Sequence, residues 1–164
     1  MPVNLPMIGA MVLPNIGGWA GAFITKPNIP TWYEVTFEEA RVASSELGVC
    51  PVWTSLYTSM GYASYLVYQS GGGFEGEARV PLMLYASQLA LNWAWTPLFF
   101  GAKKLGLSVI EIGLLYGNIL ACAYAFSNVN RTAGLLMLPY IAWSTLACAL
   151  TYCIWRDNGG DKNK

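Results

Sequence analysis

The chain of 164 residues contains no histidine, and charged residues make up only 11% of it. Soluble domains carry a charged share of roughly 25%, so we expect a protein that is not a soluble globule. Without histidine, the commonest general base and the commonest metal ligand are missing. Nine basic and nine acidic side chains cancel, so no positive field attracts a nucleic acid. We therefore expect no catalytic constellation, metal site, cofactor or nucleic-acid partner.

Long apolar runs fill most of the chain, and charged residues lie between them. A helix needs about 20 predominantly apolar residues to cross a bilayer, and five segments meet this length. The predicted spans are 5–25, 47–68, 80–101, 105–126 and 133–155. The predicted fold class is all-α, an integral membrane bundle of five transmembrane helices in a single domain, 1–164, with a first loop at 26–46.

Basic residues are distributed unequally between the two sides that five spans create. One side holds only Arg79 and Arg131. The other holds the remaining seven: Lys26, Arg41, Lys103, Lys104, Arg156, Lys162 and Lys164. Because cytoplasmic loops carry the excess of Lys and Arg, we expect the C-terminus in the cytosol.

The third predicted span carries amides and indoles in an otherwise apolar stretch, Gln88 to Trp95. Gln88, Asn92 and Trp95 share one helical face by their spacing. Polar groups at this depth are costly unless they are satisfied inside the bundle. This face is therefore expected to point inward, either to a partner helix or to a ligand.

Aromatic residues on other spans suggest two further features. Trp53 and Trp143 lie far from the charged ends and are candidates for lining a pocket, although a plain core role is open for each. Near the C-terminus, Leu150, Tyr152 and Arg156 fit a pattern proposed for cholesterol contact. That pattern is weak, because any helix with an aromatic belt and a basic end matches it.

Small residues at four-residue spacing predict close helix contacts. They occur in the pairs Gly17 with Gly21 and Gly113 with Gly117, and at Ala86, Ala90 and Ala94. Packing within one chain and homodimerisation both explain them.

Glu111 is the one Asp, Glu, Lys or Arg inside a predicted span. It lies about two helical turns from Lys103 and Lys104. We expect exposure to lipid headgroups or a local ion pair there, rather than a proton relay.

Taken together, the chain resembles the translocator protein family, the tryptophan-rich sensory proteins that include the peripheral benzodiazepine receptors. The resemblance covers nearly the whole chain. The stretches that carry it include Pro51-Val52-Trp53, Met60 to Val67, Gln88 to Trp95, Phe99 to Ala102, and Leu138-Pro139-Tyr140 with Ala142-Trp143.

The resemblance implies a five-helix bundle, usually a homodimer, in the mitochondrial outer membrane. It implies binding of cholesterol, porphyrins and benzodiazepine- or isoquinoline-type ligands, and a link to mitochondrial sterol import. Carried over by position, the ligand-binding residues are Trp53, Asn92, Trp95, Leu114, Trp143, Ala147 and Leu150. The sterol-binding residues are Leu150, Tyr152 and Arg156.

Residues 34–50 depart from the family, which normally has a proline-rich, tryptophan-containing first loop between Trp32-Tyr33 and Pro51-Val52-Trp53. Here Thr36 and Glu39 form a capping box, and Phe37, Ala40, Ala43 and Leu47 recur at helical spacing. This pattern predicts a short acidic amphipathic helix. In the family this loop helps to cover the mouth of the pocket, so its replacement bears directly on ligand affinity.

Three functions are compatible with these features. The first is a non-enzymatic receptor and transport-associated protein for a flat apolar ligand. The second is light-dependent porphyrin degradation, which some bacterial relatives are thought to perform with tryptophans at the pocket. The third is a membrane scaffold that needs no ligand and whose basic face recruits partners or anionic lipid.

Overall fold

The computed structural model describes residues 4–28 and 46–157, with side chains of the second stretch described from residue 51 onward. Most of these residues are helical and none of them lies in a β-strand, which confirms the predicted all-α class. The helices are α1 (Leu5–Asn28), α2 (Glu46–Ser70), α3 (Arg79–Thr96), α4 (Leu105–Val129), α5 (Arg131–Leu136) and α6 (Leu138–Asp157). The amphipathic helix predicted from Thr36 to Leu47 lies outside the described residues, except that residues 46 and 47 form the start of α2.

Three segments are long and apolar enough to cross a membrane: α1, α4 and the stretch Arg131–Asp157 that comprises α5 and α6. The other two predicted spans also form helices, α2 with 25 residues and α3 with 18. Both carry more polar side chains. Several of these face the interior, because the bundle places polar groups where they can be paired.

Exposed apolar side chains and buried polar side chains distinguish this bundle from a soluble protein, although its core is mainly apolar. Large apolar side chains point outward, among them Phe23 (82% exposed), Leu5 and Ile110. Polar side chains are buried, including Asn15, Gln88, Asn92, Ser108 and Thr151. This arrangement suits a lipid environment, where exposed apolar surface costs nothing and polar groups need partners inside the protein.

Helix α1 packs closely against α2 at a point set by a proline. Pro14 has no N–H, so the carbonyl of Ala10 loses its donor within the helix. Gly61 of α2 lies directly against that carbonyl, and a Cβ at this position would overlap the Ala10 oxygen. The Cα–H of glycine can therefore contact an oxygen that any larger residue would cover.

The small-residue pairs behave differently from one another. Gly17 lies under the indole of Trp93, and Gly21 lies against Thr96, so this pair serves packing within the chain. Among the described residues, a Cβ at Gly113 or Gly117 would meet nothing within 4 Å. The face of α4 that carries this second pair is open in the monomer.

Short turns connect consecutive helices. Gly72 and Gly73 adopt φ values of 72° and 75° in the turn after α2, a conformation that glycine adopts without strain. A π-type turn, Pro97–Gly101, continues α3. Between α4 and α5, the Asn130 side chain accepts a hydrogen bond from the Ala133 N–H at 3.1 Å and so caps α5.

Candidate functional site

Helices α2 and α6 bring two tryptophans into contact inside the bundle. The rings of Trp53 and Trp143 are edge-to-face, with centroids 6.3 Å apart and planes at 90°. Trp53 also contacts Tyr57, one turn along α2, at 5.3 Å, and Tyr140 of α6 at 6.5 Å. We call these four residues the aromatic cluster. Edge-to-face contacts of this kind are favoured by the ring quadrupoles.

A buried chain of hydrogen bonds connects the two tyrosines of the aromatic cluster to α3. The Tyr57 hydroxyl donates to Asn92 Oδ1 at 2.6 Å, and Asn92 Nδ2 donates to the Tyr140 hydroxyl at 2.9 Å. That hydroxyl donates to Gln88 Oε1 at 3.0 Å, and Gln88 Nε2 contacts Met60 Sδ at 3.8 Å. The inward orientation predicted for Gln88 and Asn92 is therefore observed, and their partners are side chains of α2 and α6.

Trp95 and Leu150 belong to a different group of side chains. Trp95 stacks on Phe99 at 4.8 Å and meets Phe100 edge-on at 5.9 Å. Leu150 packs against the same apolar group, whose buried members are Phe99, Phe100 and Ile154. The indole Nε1 of Trp95 is buried and has no hydrogen-bond partner among the described residues. It is a free donor that faces the interior.

Two of the positions suggested by resemblance lie apart from these clusters. Leu114 is 63% exposed on the outer surface of α4, away from the bundle interior. Ala147 is half-buried on α6. It lies one turn after Trp143 and about one turn before Leu150, so the three share a helical face.

The three residues of the sterol pattern do not share one face of α6. Tyr152 is 48% exposed, with its ring 5.9 Å from that of Trp155. Arg156 is one turn further on, also exposed, and pairs with Asp157 at 2.8 Å. Leu150 points instead toward Phe99 and Phe100. Tyr152 and Arg156 can therefore contact a molecule at the outer surface, whereas Leu150 supports the interior.

The expectation for Glu111 was wrong. Its side chain is buried at 8% exposure, and neither carboxylate oxygen has a hydrogen-bond partner among the described residues. No ion pair joins Glu111 to another described residue. The reason is its position on α4: Leu107, Ile110 and Leu114 take the outer face, and Glu111 is turned inward.

Sequence reasoning missed Tyr57 and Tyr140, which supply both hydroxyl partners of Asn92. A signal was present in their spacing. Tyr57 follows Trp53 by four residues and Tyr140 precedes Trp143 by three, so each tyrosine shares a helical face with a candidate tryptophan. The partner relation itself depends on how three helices pack.

Two concave grooves lie on the outer surface rather than at the aromatic cluster. The larger, of about 370 Å³, runs between α4 and the α5–α6 segment, from Leu120 and Ile141 to Ser127 and Arg131. The smaller, of about 260 Å³, is lined by Phe74, Arg79, Leu82, Met83 and Ala86. Both are predominantly apolar, and each includes an arginine.

Comparison with known proteins identifies the family of this chain. The family described as TspO/MBR matches residues 10–156. The translocator protein of Sus scrofa is 41% identical over 159 residues, which cover 97% of this chain and 94% of that protein.

More distant relatives extend the same relationship. The translocator protein of Homo sapiens is 39% identical over 159 residues, with 97% of this chain and 94% of that protein covered. Protein CrtK of Rhodobacter capsulatus is 37% identical over 133 residues, covering 80% of this chain and 81% of that protein. With a family match over nearly its whole length and these relatives, the chain belongs to the TspO/MBR family.

Proposed function

We propose that this chain is a non-enzymatic membrane receptor that holds a flat apolar ligand between its helices and takes part in mitochondrial sterol import. The ligand class is cholesterol, a porphyrin, or a benzodiazepine- or isoquinoline-type compound. One observation carries the proposal: Trp53 of α2 and Trp143 of α6 face each other at 6.3 Å in front of the hydrogen-bonded amide of Asn92. Aromatic walls with a few polar groups are typical of small-molecule sites.

In this proposal, the ligand separates the two indoles and replaces their mutual contact with contacts to its own rings. Burial of apolar area supplies most of the affinity, at roughly 25 cal/mol per Å². Asn92 Nδ2, which donates to Tyr140, is placed to donate to a ligand carbonyl instead. The Trp95 indole N–H, unpartnered among the described residues, is a second directional donor, in the neighbouring apolar group with Phe99 and Leu150.

The proposed binding residues are those carried over from the family: Trp53, Asn92, Trp95, Leu114, Trp143, Ala147 and Leu150. We assign a sterol contact to Tyr152 and Arg156 on the outer face of α6, with Leu150 behind them. No catalytic residue and no cofactor is needed, since a porphyrin would be a ligand rather than a resident group.

We further propose that the chain is one domain that spans the mitochondrial outer membrane five times, with α2 and α3 as the two more polar spans and the C-terminus in the cytosol. An epitope after Lys164 is then expected to be cleaved by protease on intact mitochondria. The open face at Gly113 and Gly117 supports a homodimer, because small residues allow close helix approach.

Equilibrium titration tests the receptor proposal. Purified protein in nanodiscs is titrated with protoporphyrin and with an isoquinoline ligand while tryptophan quenching is followed. We expect Trp143→Ala to weaken binding more than tenfold, as for a large aromatic anchor in a buried site. Trp19→Ala is the matched control, because Trp19 is 57% exposed on α1. Equal affinity of folded Trp143→Ala and wild type contradicts the assignment.

A second variant addresses the first loop. In it, residues 34–50 carry the family's usual proline-rich sequence. Tight binding by both proteins supports a pocket made by the helices themselves. Binding by the restored variant alone assigns the pocket mouth to the loop, and binding by neither favours the scaffold function.

Light-dependent porphyrin degradation is a second candidate, favoured by the contact of two indoles within one cluster. An excited porphyrin held there would lie beside oxidisable rings. Illumination of the protein with protoporphyrin tests it. The same decay rate in a Trp53→Phe, Trp143→Phe double variant as in wild type excludes participation of these tryptophans.

A further inference from the structure

The larger surface groove is separate from the aromatic cluster and shares none of its residues. It has a volume of about 370 Å³ and is open to the surroundings of the bundle. Its walls come from α4 on one side and from the α5–α6 segment on the other. It therefore lies where a molecule from the membrane could enter it directly.

The walls of the groove are apolar along most of its length. Leu120 and Ala123 line it from α4, and Leu135, Leu138 and Ile141 line it from the opposite side. From Leu120 to Ser127 the α4 wall measures about 10 Å, at 1.5 Å per residue. This is an elongated apolar slot parallel to the helices, and it matches the shape of an acyl chain.

One end of the groove is cationic. Arg131 follows directly after the end of α4 and lines the groove together with Ser127. The Arg131 side chain is exposed and forms no ion pair with another described residue. The helices break at this point, between Val129 and Arg131, which places the guanidinium at the end of the span, where headgroups lie.

We propose that this groove binds an anionic glycerophospholipid of the surrounding bilayer. One acyl chain lies between Leu120 and Leu138, and the phosphate pairs with the Arg131 guanidinium, whose planar fork suits phosphate oxygens. The apolar slot requires an acyl chain and the Arg131 cation requires an anionic group, and an anionic glycerophospholipid has both. A sterol has no anionic group for Arg131, and a free phosphate has no chain for the apolar walls.

Photo-labelling in vesicles tests the proposal. The full chain is reconstituted in phosphatidylcholine vesicles with a minor fraction of a phosphatidylglycerol that carries a diazirine in its acyl chain. A parallel sample uses phosphatidylcholine with the same diazirine. We expect phosphatidylglycerol to label the peptides around 120–127 and 135–141 about fivefold more than phosphatidylcholine does, the factor expected for one cation at an anionic surface.

Two substitutions test the charge and the apolar slot separately, and a third is the control for the charge. Arg131→Gln is expected to abolish the preference for phosphatidylglycerol at these peptides while labelling near Arg79, in the smaller groove, is unchanged. Lys26→Gln removes the same charge at the opposite end of the bundle and is expected to change nothing. Leu135→Trp, at an exposed position, narrows the slot and is expected to lower labelling by both lipids.

Several outcomes would overturn the proposal. They are equal labelling by the two phospholipids in the wild type, a preference that persists in Arg131→Gln, and undiminished labelling in Leu135→Trp. Stronger labelling of the same peptides by a diazirine cholesterol would assign the groove to a sterol. Failure of all three lipids to label these peptides would overturn the proposal in favour of a second copy of the chain in the groove. Far-UV circular dichroism checks that each variant is folded.

Discussion

Tyr57 donates a 2.6 Å hydrogen bond to the amide oxygen of Asn92 and thereby joins α2 to α3 inside the bundle. Both side chains are almost fully buried, so water cannot replace either partner. The same amide donates to Tyr140, which extends the connection to α6. Three helices are thus held in register by one asparagine.

The hydroxyl of Tyr57 is expected to contribute measurably to stability. Tyr57→Phe removes the hydroxyl donor and leaves Asn92 Oδ1 without this hydrogen bond. We expect the free energy of unfolding to fall by about 1 kcal/mol. Unfolding in mixed detergent micelles measures the change in the free energy of unfolding. Tyr152→Phe, at a position 48% exposed, is the control and should have no effect. Equal stability of Tyr57→Phe and wild type would show that the hydrogen bond makes no net contribution to the free energy of unfolding.

Gly17 is expected to tolerate no side chain. A Cβ there would overlap the indole of Trp93, which also donates to the Pro14 carbonyl at 3.3 Å. Gly17→Ala should therefore lower the free energy of unfolding by about 1 to 3 kcal/mol, as overpacking does. Gly9→Ala, also on α1, meets nothing within 4 Å among the described residues and should cause no such loss. Thermal unfolding in detergent compares the two, and an equal loss in both would contradict the packing.

Gly61 should be less tolerant still. A Cβ at Gly61 would meet the Ala10 carbonyl and the Met11 Cα, which are backbone atoms and cannot turn away as an indole can. We expect Gly61→Ala to separate α1 from α2 and to lower the melting temperature more than Gly17→Ala does. If the order is reversed, the α1–α2 contact is looser than the structure indicates.

Glu111 is expected to reduce stability in the wild type. Its two carboxylate oxygens are buried without a hydrogen-bond partner among the described residues, and burial of unpaired polar groups is costly. Glu111→Gln keeps the shape, removes the charge and should raise stability by about 1 kcal/mol. Glu77→Gln, at an exposed position, should have no effect. A loss of stability in Glu111→Gln would reveal a partner that holds the carboxylate.

The residues of the proposed ligand site are expected to contribute unequally to ligand affinity. Leu114 is 63% exposed on the outer surface, whereas Trp143 lies against Trp53. Leu114→Ala is expected to change the affinity for an isoquinoline ligand by about twofold or less, against more than tenfold for Trp143→Ala. Titration in nanodiscs measures both. A large effect of Leu114→Ala would show that Leu114 is a principal contact of the ligand rather than a peripheral one.

The all-α class and the positions of the helices could be predicted from the sequence, because charge-free apolar runs of about 20 residues have few other structures open to them. The inward orientation of Gln88 and Asn92 was predictable for the same reason. An unpaired amide in an apolar span is too costly to face lipid.

Only the tertiary structure decided which side chains meet. The spacing of Trp53 and Trp143 along the chain does not show that their rings touch, nor that Tyr57 and Tyr140 pair with Asn92. The rotation of α4 about its own axis decides that Glu111 faces inward while its neighbours on the helix face outward. Rotation and register arise from contacts between distant segments, such as Gly61 against Ala10, and periodicity within one helix carries no information about them.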